Sequence, residues 1–290
     1  MKSMKSLTIG TLTLDVPFFQ ASLSGYSDYA MRRIARRFGC SFTLTGVMLA
    51  KSMANPRVLR KKCFQPYADE HPVGAQILSR VPATMAKAAR DLVAVGYDVI
   101  DLNFACPAPK VLRRRRGGAM LDEPDLVIDT LKAVQDVVTC PVMMKLRMGV
   151  DHKPASQIKF RHIVDQAITA GIDALVIHGR TVADRYRGRA DWDILAQIKR
   201  AYPQATIIGS GDIFDARTSL QWMLDTGIDG IVPARGVIGN PWLFRELRAL
   251  CEGKPLPPPP SLTEQKETML LNLDWVCQDY DEKRAVGISL

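Results

Sequence analysis

Eight short apolar runs alternate along the chain with longer segments in which apolar residues recur at helical spacing. Each run has the length and the continuous hydrophobicity of a strand that is buried on both faces of a parallel sheet. The runs are residues 17–21, 42–46, 73–78, 99–103, 142–146, 174–178, 205–209 and 230–234. Strands that alternate with helices in this way predict an α/β protein built from βα repeats.

The segments between the runs predict six helices, at residues 29–38, 82–95, 124–137, 157–170, 192–201 and 216–225. Several of them are followed by a glycine suited to a helix C-cap, namely Gly39, Gly96, Gly171 and Gly227. Eight strands with helices between them indicate a (β/α)8 TIM barrel, for which 290 residues suffice with a short appendage. A doubly wound sheet is the alternative, but residues 20–25 lack the G-x-G-x-x-G turn that it needs after its first strand.

The sequence changes character after residue 250. Residues 251–260 contain a proline-rich stretch that is typical of a stiff linker. Ser261 and Glu264 have the spacing of a capping box, which predicts a helix that runs to about residue 282, and residues 285–290 look like the opening of another element. We therefore expect a barrel domain over residues 1–250 and a short, incomplete C-terminal helical segment over residues 261–290.

The net charge of +9, from 39 basic and 30 acidic residues, favours an anionic partner such as nucleic acid. The six cysteines have neither C-x-x-C nor zinc-ligand spacing, which predicts no metal site and favours the reducing cytoplasm. No apolar run approaches the roughly 20 residues of a membrane span. Residues 1–6 also lack the apolar core of a signal peptide.

Polar and glycine residues follow the predicted strands, at the end of a barrel where active sites lie. Lys145 and Arg147 lie at the end of the fifth strand, and His178 ends the sixth. Glycine, serine and arginine follow the last two strands, the usual place of a barrel phosphate site. Taken singly, these residues fit rim charges, a core histidine and turn glycines equally well. Their occurrence at several successive strand ends favours a binding site.

A cysteine follows the fourth predicted strand directly. Cys106 precedes Pro107, and four consecutive arginines and a Gly117-Gly118 pair come after it. A cysteine at a strand end with a basic flank suits chemistry on an anionic substrate. The local sequence fits equally well a buried structural cysteine beside a solvated charge run, because free cysteine is among the most buried residue types.

Seven motifs, in order, give the chain a resemblance to the tRNA-dihydrouridine synthases, a family of FMN-dependent (β/α)8 barrels. They are D-L-N-F-A-C-P-A-P-K-V (101–111), G-G-A-M-L (117–121), M-K-L-R-M-G (144–149), H-G-R-T (178–181), G-R-A-D-W (188–192), G-D-I-F (211–214) and A-R-G-V-I-G-N-P-W (234–242). The match extends over about residues 10–250. No single motif is decisive, but their order and spacing make the series specific.

The resemblance implies roles for individual residues. Cys106 resembles the family's catalytic acid. Contacts with FMN fall on Ser22, Leu23, Ser24, Gln76, Lys145, His178, Ser210, Gly211, Asp212, Ala234 and Arg235. We assign contacts with RNA phosphates to Arg113, Arg114, Arg115, Arg116, Arg147 and Arg180. The chain departs from the family's usual Pro-Met-Ala at Ser22-Leu-Ser24, from Gly at Ala105 and from Asn at Ser210.

The expected activity is therefore the reduction of uridine to 5,6-dihydrouridine in RNA, with FMN as cofactor and NADPH as electron donor. The expected substrate is tRNA, with ribosomal RNA as the second choice, and the resemblance implies a monomer whose C-terminal segment is part of an RNA-binding domain. One alternative is an FMN barrel that reduces a free pyrimidine or another small enone, like the dihydroorotate dehydrogenases. Such an enzyme has no need of four arginines beside its cysteine. The other is a non-catalytic RNA-binding relative, supported only by the changed loop after the first strand.

Overall fold

A parallel sheet of short buried strands forms the centre of the computed structural model, which describes residues 6–278. The strands of this part of the chain are β1 (Leu7–Ile9), β2 (Leu12–Leu14), β3 (Thr43–Leu44), β4 (Met48–Leu49), β5 (Val73–Leu78), β6 (Val99–Phe104), β7 (Val142–Arg147), β8 (Ala174–His178), β9 (Ile207–Ser210) and β10 (Gly230–Ile231). The parallel strands pair in the order β3–β5–β6–β7–β8–β9–β10, and β4 continues beside β5 after β3. Every residue of β5, β6 and β8 is buried, as strands covered on both faces require.

Residues 17–21 close the sheet into a barrel. Phe18 forms a parallel bridge to Ile231 at one edge, and Gln20 forms one to Thr43 at the other. This segment was expected to be a strand, but it makes isolated bridges because the strands on either side of it are only two residues long. With it, eight chain segments are hydrogen-bonded in a ring, so the (β/α)8 barrel is confirmed.

Helices surround the barrel between successive strands. Their bounds are α1 (Tyr29–Arg37), α2 (Ala50–Met53), α3 (Pro56–Leu59), α4 (Pro82–Ala94), α5 (Pro109–Leu112), α6 (Pro124–Gln135), α7 (Pro154–Thr169), α8 (Asp193–Ala201), α9 (Ala216–Thr226), α10 (Trp242–Cys251) and α11 (Leu262–Cys277). Short 3₁₀ helices lie at Lys62–Phe64, Gly117–Asp122 and Arg235–Val237. The six expected helices are all present, with ends that differ from the prediction by no more than three residues. The four expected C-cap glycines all have positive φ.

The β1–β2 hairpin, which the sequence pattern did not reveal, covers the amino-terminal end of the barrel. Leu7 packs against Gly230 at the start of β10, where a Cβ would come within 3.0 Å of the leucine. The Thr206 hydroxyl, just before β9, donates to the Thr8 carbonyl at 3.3 Å. The opposite end, where the strands finish, is left for the loops that form the candidate site.

The C-terminal helix α11 packs on α1. The Ser261 hydroxyl accepts a hydrogen bond from the Glu264 N–H at 3.2 Å, which confirms the predicted N-cap. Val276 packs with Ala30, and the Arg33 guanidinium lies 4.2 Å from the centroid of the Trp275 ring. The predicted extension of this helix to residue 282 and the element at residues 285–290 lie outside the described residues. Within residues 6–278, none of the helices combines the length and apolarity that crossing a bilayer requires.

Candidate active site

A cavity of about 380 Å³ opens at the carboxyl ends of the barrel strands. Side chains on one strand alternate between faces, so residues two apart on β6 and on β7 point into the barrel together. The cavity collects the expected catalytic residue, all eleven expected FMN contacts and one of the six expected RNA contacts, namely Ser22, Leu23, Ser24, Gln76, Cys106, Lys145, Arg147, His178, Ser210, Gly211, Asp212, Ala234 and Arg235. The roles assigned to them from the sequence stay predictions, but the barrel does bring them to one place.

Lys145 supplies a buried positive charge beside this cavity. Its Nζ is buried and, among residues 6–278, has no hydrogen-bond partner. Burial lowers the pKa of Lys145, while the charge of Asp101 opposes that change. Asp101 is itself buried, and burial raises its pKa against the effects of a Gln76 hydrogen bond and of Lys145. An unpartnered ammonium at a cavity wall is suited to hold an electronegative atom of a ligand.

His178 lies in the cavity as a neutral ring. Burial, reinforced by Lys145, Arg147 and other nearby cations, lowers the pKa of His178 to about 2. Arg180 Nη1 lies 3.4 Å from His178 Nε2, and His178 Nδ1 lies 3.3 Å from Ser210 Oγ. An arginine can only donate, so Nε2 must be the acceptor and Nδ1 must carry the proton. The Ser210 hydroxyl oxygen accepts a hydrogen bond from this Nδ1–H, and its own hydrogen stays available to donate to another group.

The backbone around Cys106 is held from two sides. Asn103 Oδ1 accepts hydrogen bonds from the backbone N–H groups of Ala105 and Cys106, at 3.2 and 3.0 Å. The Gly118 N–H donates to the Cys106 carbonyl at 3.1 Å. Gly117 has a φ of 57° and packs so closely that a Cβ there would lie 3.0 Å from the Cys106 Cβ. The Gly117-Gly118 pair is therefore a close-packed support for the half-buried thiol.

Arg147 and Arg180, two of the expected phosphate contacts, are each only 3% exposed. Arg147 donates to a backbone carbonyl of the segment after β6, Ala105 at 2.9 Å, and to one of the loop after β8, Thr181 at 2.9 Å. Arg180 is paired with Asp212 at 2.7 Å. Both guanidinium groups thus hold loops together, and their assignment to RNA stays a prediction.

The run Arg113–Arg116 does not line the cavity. It follows α5 on the loop after Cys106, with Arg113, Arg114 and Arg115 exposed. Arg115 has a φ of 51° and forms an ion pair with Glu123 at 2.8 Å. Because the loop follows β6, its cations lie at the same end of the barrel as the cavity.

Three half-exposed aromatic residues at the cavity were missed by sequence reasoning: Tyr26, Tyr186 and Phe214. The Arg235 guanidinium lies between two of them, 4.3 Å from the Tyr186 ring centroid and 5.5 Å from that of Phe214. Tyr186 lies in the pattern R-Y-R-G-R at residues 185–189, in which the arginines are exposed, and Phe214 ends the G-D-I-F motif. Aromatic faces at a rim of this kind are suited to stack on planar ligands.

The loop after the first barrel segment, where the chain departs from the expected pattern, is well ordered by hydrogen bonds. The Ser27 hydroxyl accepts from the Leu23 N–H at 2.9 Å and donates to the Ala21 carbonyl at 3.3 Å. The Ser22 hydroxyl, by contrast, is buried without a partner among the described residues. No group of three or more His, Cys, Asp or Glu suited to hold a metal ion occurs within residues 6–278.

Comparison with solved structures supports the class of fold. Morphinone reductase in complex with tetrahydroNAD superimposes with a TM-score of 0.60, covering 91% of this chain and 94% of its own at 13% identity. A 2-naphthoyl-CoA reductase gives a TM-score of 0.68 over 87% of this chain and 52% of its own, at 14% identity. At such low identity these likenesses show the barrel fold alone.

Comparison of sequences identifies the family. The family model of the dihydrouridine synthases (Dus) matches residues 19–289. The tRNA-dihydrouridine synthase B of Pasteurella multocida is 35% identical over 288 residues, covering 98% of this chain and 84% of that protein. A probable tRNA-dihydrouridine synthase of Mycobacterium tuberculosis is 34% identical over 272 residues, covering 89% of this chain and 69% of its own. The chain belongs to the dihydrouridine synthase family, as the sequence motifs predicted.

Proposed function

We propose that this protein reduces a uridine of RNA to 5,6-dihydrouridine, with FMN as bound cofactor and NADPH as electron donor. The observation that carries the proposal is the meeting of Lys145, His178 and Cys106 at one cavity, in a chain of the dihydrouridine synthase family. The names of the relatives from P. multocida and M. tuberculosis support tRNA rather than ribosomal RNA as the substrate.

The cavity fits FMN by the chemistry of its donors. Lys145 Nζ and Ser22 Oγ are buried donors without a partner in the described part of the chain, and a flavin ring offers nitrogen and oxygen acceptors. Gly211 and Gly236 lie in loops that pack too tightly to admit a side chain. With the Arg235 guanidinium, these loops after β9 and β10 offer the usual elements of a barrel phosphate site.

When bound, FMN supplies a hydride, taken from NADPH, to C6 of the uracil ring. The uracil then carries negative charge shared between C5 and its carbonyl group, and C5 requires a proton to complete the reduction. We assign the donation of this proton to the Cys106 thiol, acting as general acid. The thiol lies at the cavity and is half-buried, and the backbone of Cys106 is fixed by hydrogen bonds to Asn103 and Gly118. The hydride and the proton together saturate the C5=C6 bond.

The positively charged side chains of the site stabilise negative charge rather than transfer a proton. Lys145, Arg147 and Arg235 line the cavity and stabilise negative charge that builds up there, while neutral His178 adds none. Because His178 is neutral, it can serve as a hydrogen-bonding group without repelling these cations.

The mouth of the cavity suits an RNA substrate. The exposed Arg113 and Arg114 follow β6, and the exposed Arg185, Arg187 and Arg189 follow β8, so both sets leave the barrel at the same end. A uridine must leave its stack to enter the cavity, at a cost of a few kcal/mol. Phosphate contacts from these arginines and stacking on the aromatic rim would offset that cost.

We also propose that the protein is a monomer that works in the cytoplasm, where RNA and NADPH occur together. Its cysteines support a reducing compartment, since Cys63 and Cys277 are exposed free thiols.

The test is a reconstituted reaction with purified protein, FMN, NADPH and tRNA transcripts that carry no modifications. Nuclease digestion and mass spectrometry should detect dihydrouridine only when NADPH and protein are both present. Reduction of free uracil or orotate in place of tRNA would instead support a small-substrate barrel. A colourless protein that binds tRNA and reduces nothing would support the non-catalytic alternative.

A further inference from the structure

A chain of three buried side chains leads from the barrel interior to the loop of Cys106. Gln76 Nε2 donates to Asp101 Oδ2 at 2.7 Å, and Asn103 Nδ2 donates to Gln76 Oε1 at 2.6 Å. Asn103 Oδ1 then accepts from the backbone N–H of Cys106 at 3.0 Å. Asp101 is 0%, Gln76 1% and Asn103 7% exposed, so water does not compete for these bonds.

We propose that Asp101 is a positioning residue for Cys106, acting through the side-chain amides of Gln76 and Asn103. The inference rests on the proposed function, in which Cys106 is the proton donor. Asp101 is fully buried and does not line the cavity, so any effect it has on the reaction must pass through other residues.

The direction of the hydrogen bonds supports this assignment. A carboxylate only accepts, so Gln76 must turn its NH₂ group towards Asp101 and its oxygen towards Asn103. Asn103 must then turn its NH₂ group towards Gln76, which leaves its oxygen for the Cys106 N–H. Turning either amide over would set donor against donor or acceptor against acceptor in a dry interior. The parallel register of β5 and β6 places Gln76 beside Asp101 and so fixes the start of the chain.

Asp101 has a second candidate role, since its charge acts on Lys145 of the neighbouring strand β7. The two roles differ in what they require at position 101. The relay, by which we mean the hydrogen bonds from Asp101 through Gln76 and Asn103 to the Cys106 N–H, needs a hydrogen-bond acceptor at position 101. The effect on Lys145 needs only the negative charge. Variants that separate hydrogen bonding from charge therefore distinguish them.

The first test measures alkylation of Cys106 by iodoacetamide in the FMN-loaded protein without RNA, followed by peptide mass spectrometry. Asp101→Ala removes the acceptor and loosens the loop, so alkylation should become about five-fold faster, the contribution of one hydrogen bond of the usual strength. Asp101→Asn keeps an acceptor oxygen for Gln76 and should stay within about two-fold of the wild type. The exposed Cys63 in each sample is the internal reference. Equal effects of the two substitutions would overturn the relay.

The second test reverses the relay. Asn103→Asp keeps an oxygen that accepts from the Cys106 N–H but loses the NH₂ group that donates to Gln76, so Gln76 then lies between two carboxylates with a single NH₂ group to offer. Without the bond to Gln76 the side chain at position 103 is no longer held in place, which should loosen the Cys106 loop. Adding Asp101→Asn lets Gln76 turn over, accept from the new amide and donate to the new carboxylate. This double variant should bring the alkylation rate about five-fold or more back towards the wild type. Adding Asp101→Ala to Asn103→Asp instead removes the repulsion between the two carboxylates but supplies no NH₂ group to donate to Gln76. Its alkylation rate should therefore return less far towards the wild type.

Rescue by alanine as complete as rescue by asparagine would show that charge alone acts at position 101, and it would overturn the proposal. Because alkylation needs no RNA, these outcomes are independent of the proposed activity. Absence of dihydrouridine with the wild-type protein would remove the proposed function and leave the relay standing as a property of the fold.

Discussion

Arg180 Nη2 donates to both carboxylate oxygens of Asp212 at 2.7 Å, and this pair joins the loop after β8 to the loop after β9. The same guanidinium also donates to the carbonyls of Arg187 and Gly188, at 3.0 and 2.6 Å. Asp212 adopts a φ of 55°, a left-handed conformation, and accepts from the Ala190 N–H at 2.7 Å. The pair therefore shapes the segment that presents Tyr186 to the cavity.

Replacement of Arg180 by alanine should lower the free energy of unfolding by more than it lowers the free energy of RNA binding. Removing one member of a buried ion pair costs about 3–5 kcal/mol. Asp212 is 21% exposed, so we expect a loss nearer about 2–3 kcal/mol in urea unfolding. The exposed Arg189→Ala is the matched control and should unfold like the wild type. Wild-type stability together with a smaller salt dependence of RNA binding would instead make Arg180 a phosphate contact.

Replacement of Gly117 by alanine should displace Cys106. A Cβ there would lie 3.0 Å from both the Cys106 Cβ and the Val111 Cγ1, in addition to the cost of a positive φ. Gly171→Ala, with a φ of 73° and no atom within 4 Å of the new Cβ, has only the backbone cost. Both variants should lose about 1 kcal/mol of stability from the backbone. Only Gly117→Ala should also slow dihydrouridine formation, and equal rates in the two would contradict the close packing of this glycine on the thiol.

Lys145 should control both the retention of flavin and the alkaline limit of the reaction. The purified protein should be yellow, and Lys145→Ala should bind FMN more weakly in a fluorescence titration. Burial holds the pKa of Lys145 below the 10.5 of an ordinary lysine, so its positive charge is present at neutral pH and is lost as pH rises through the lowered value. Activity should therefore fall with rising pH well before pH 10.5. In Lys145→Arg this fall should occur at a higher pH, because a guanidinium keeps its charge to higher pH than an ammonium. A colourless wild-type protein after addition of FMN would contradict the assignment.

The arginine run should contribute to RNA binding through charge. Changing Arg113, Arg114, Arg115 and Arg116 to serine should weaken tRNA binding and reduce the slope of log K against log salt by up to about 0.7–0.9 for each lost phosphate contact. Arg115 is already paired with Glu123, so its share should be the smallest. FMN binding should be unchanged.

The matched control for this variant removes the same number of positive charges from the outer helices, where Arg90, Lys132, Arg161 and Arg200 are exposed. If binding depends on position, the control should keep most of the wild-type salt slope. Equal losses in the two variants would mean that only net charge matters.

The repeat of strands and helices could be predicted from the sequence because each element carries its own periodicity. The helix ends came out well because Gly39, Gly171 and similar residues mark them locally. The final barrel helix α10 was missed although the turn signal Gly239-Asn240-Pro241 comes directly before it. The β1–β2 hairpin was missed because its strands are three residues each. Residues 17–21 were expected as a strand, yet their pairing depends on short partners far along the chain.

The residues of the candidate site that lie at strand ends could be predicted from the sequence, but the contacts between its loops could not. Lys145, His178 and Cys106 were found because a barrel brings all its strand ends to one face. The link from Asp101 to Asn103 through Gln76 depends on the register of two strands, which periodicity does not give. The rim aromatics and the Arg180–Asp212 pair depend on loop conformations, for which the sequence carries no regular signal.

The most direct test of the account is a stopped-flow comparison of the two half-reactions in wild-type protein and Cys106→Ala, with Cys63→Ala as the control. A proton donor acts only when uridine is reduced, so flavin reduction by NADPH should be nearly unchanged in Cys106→Ala. Oxidation of the reduced protein by unmodified tRNA should slow by about two to four orders of magnitude, the usual contribution of a positioned general acid. Equal slowing of both half-reactions, or near wild-type oxidation by tRNA, would contradict the role of Cys106.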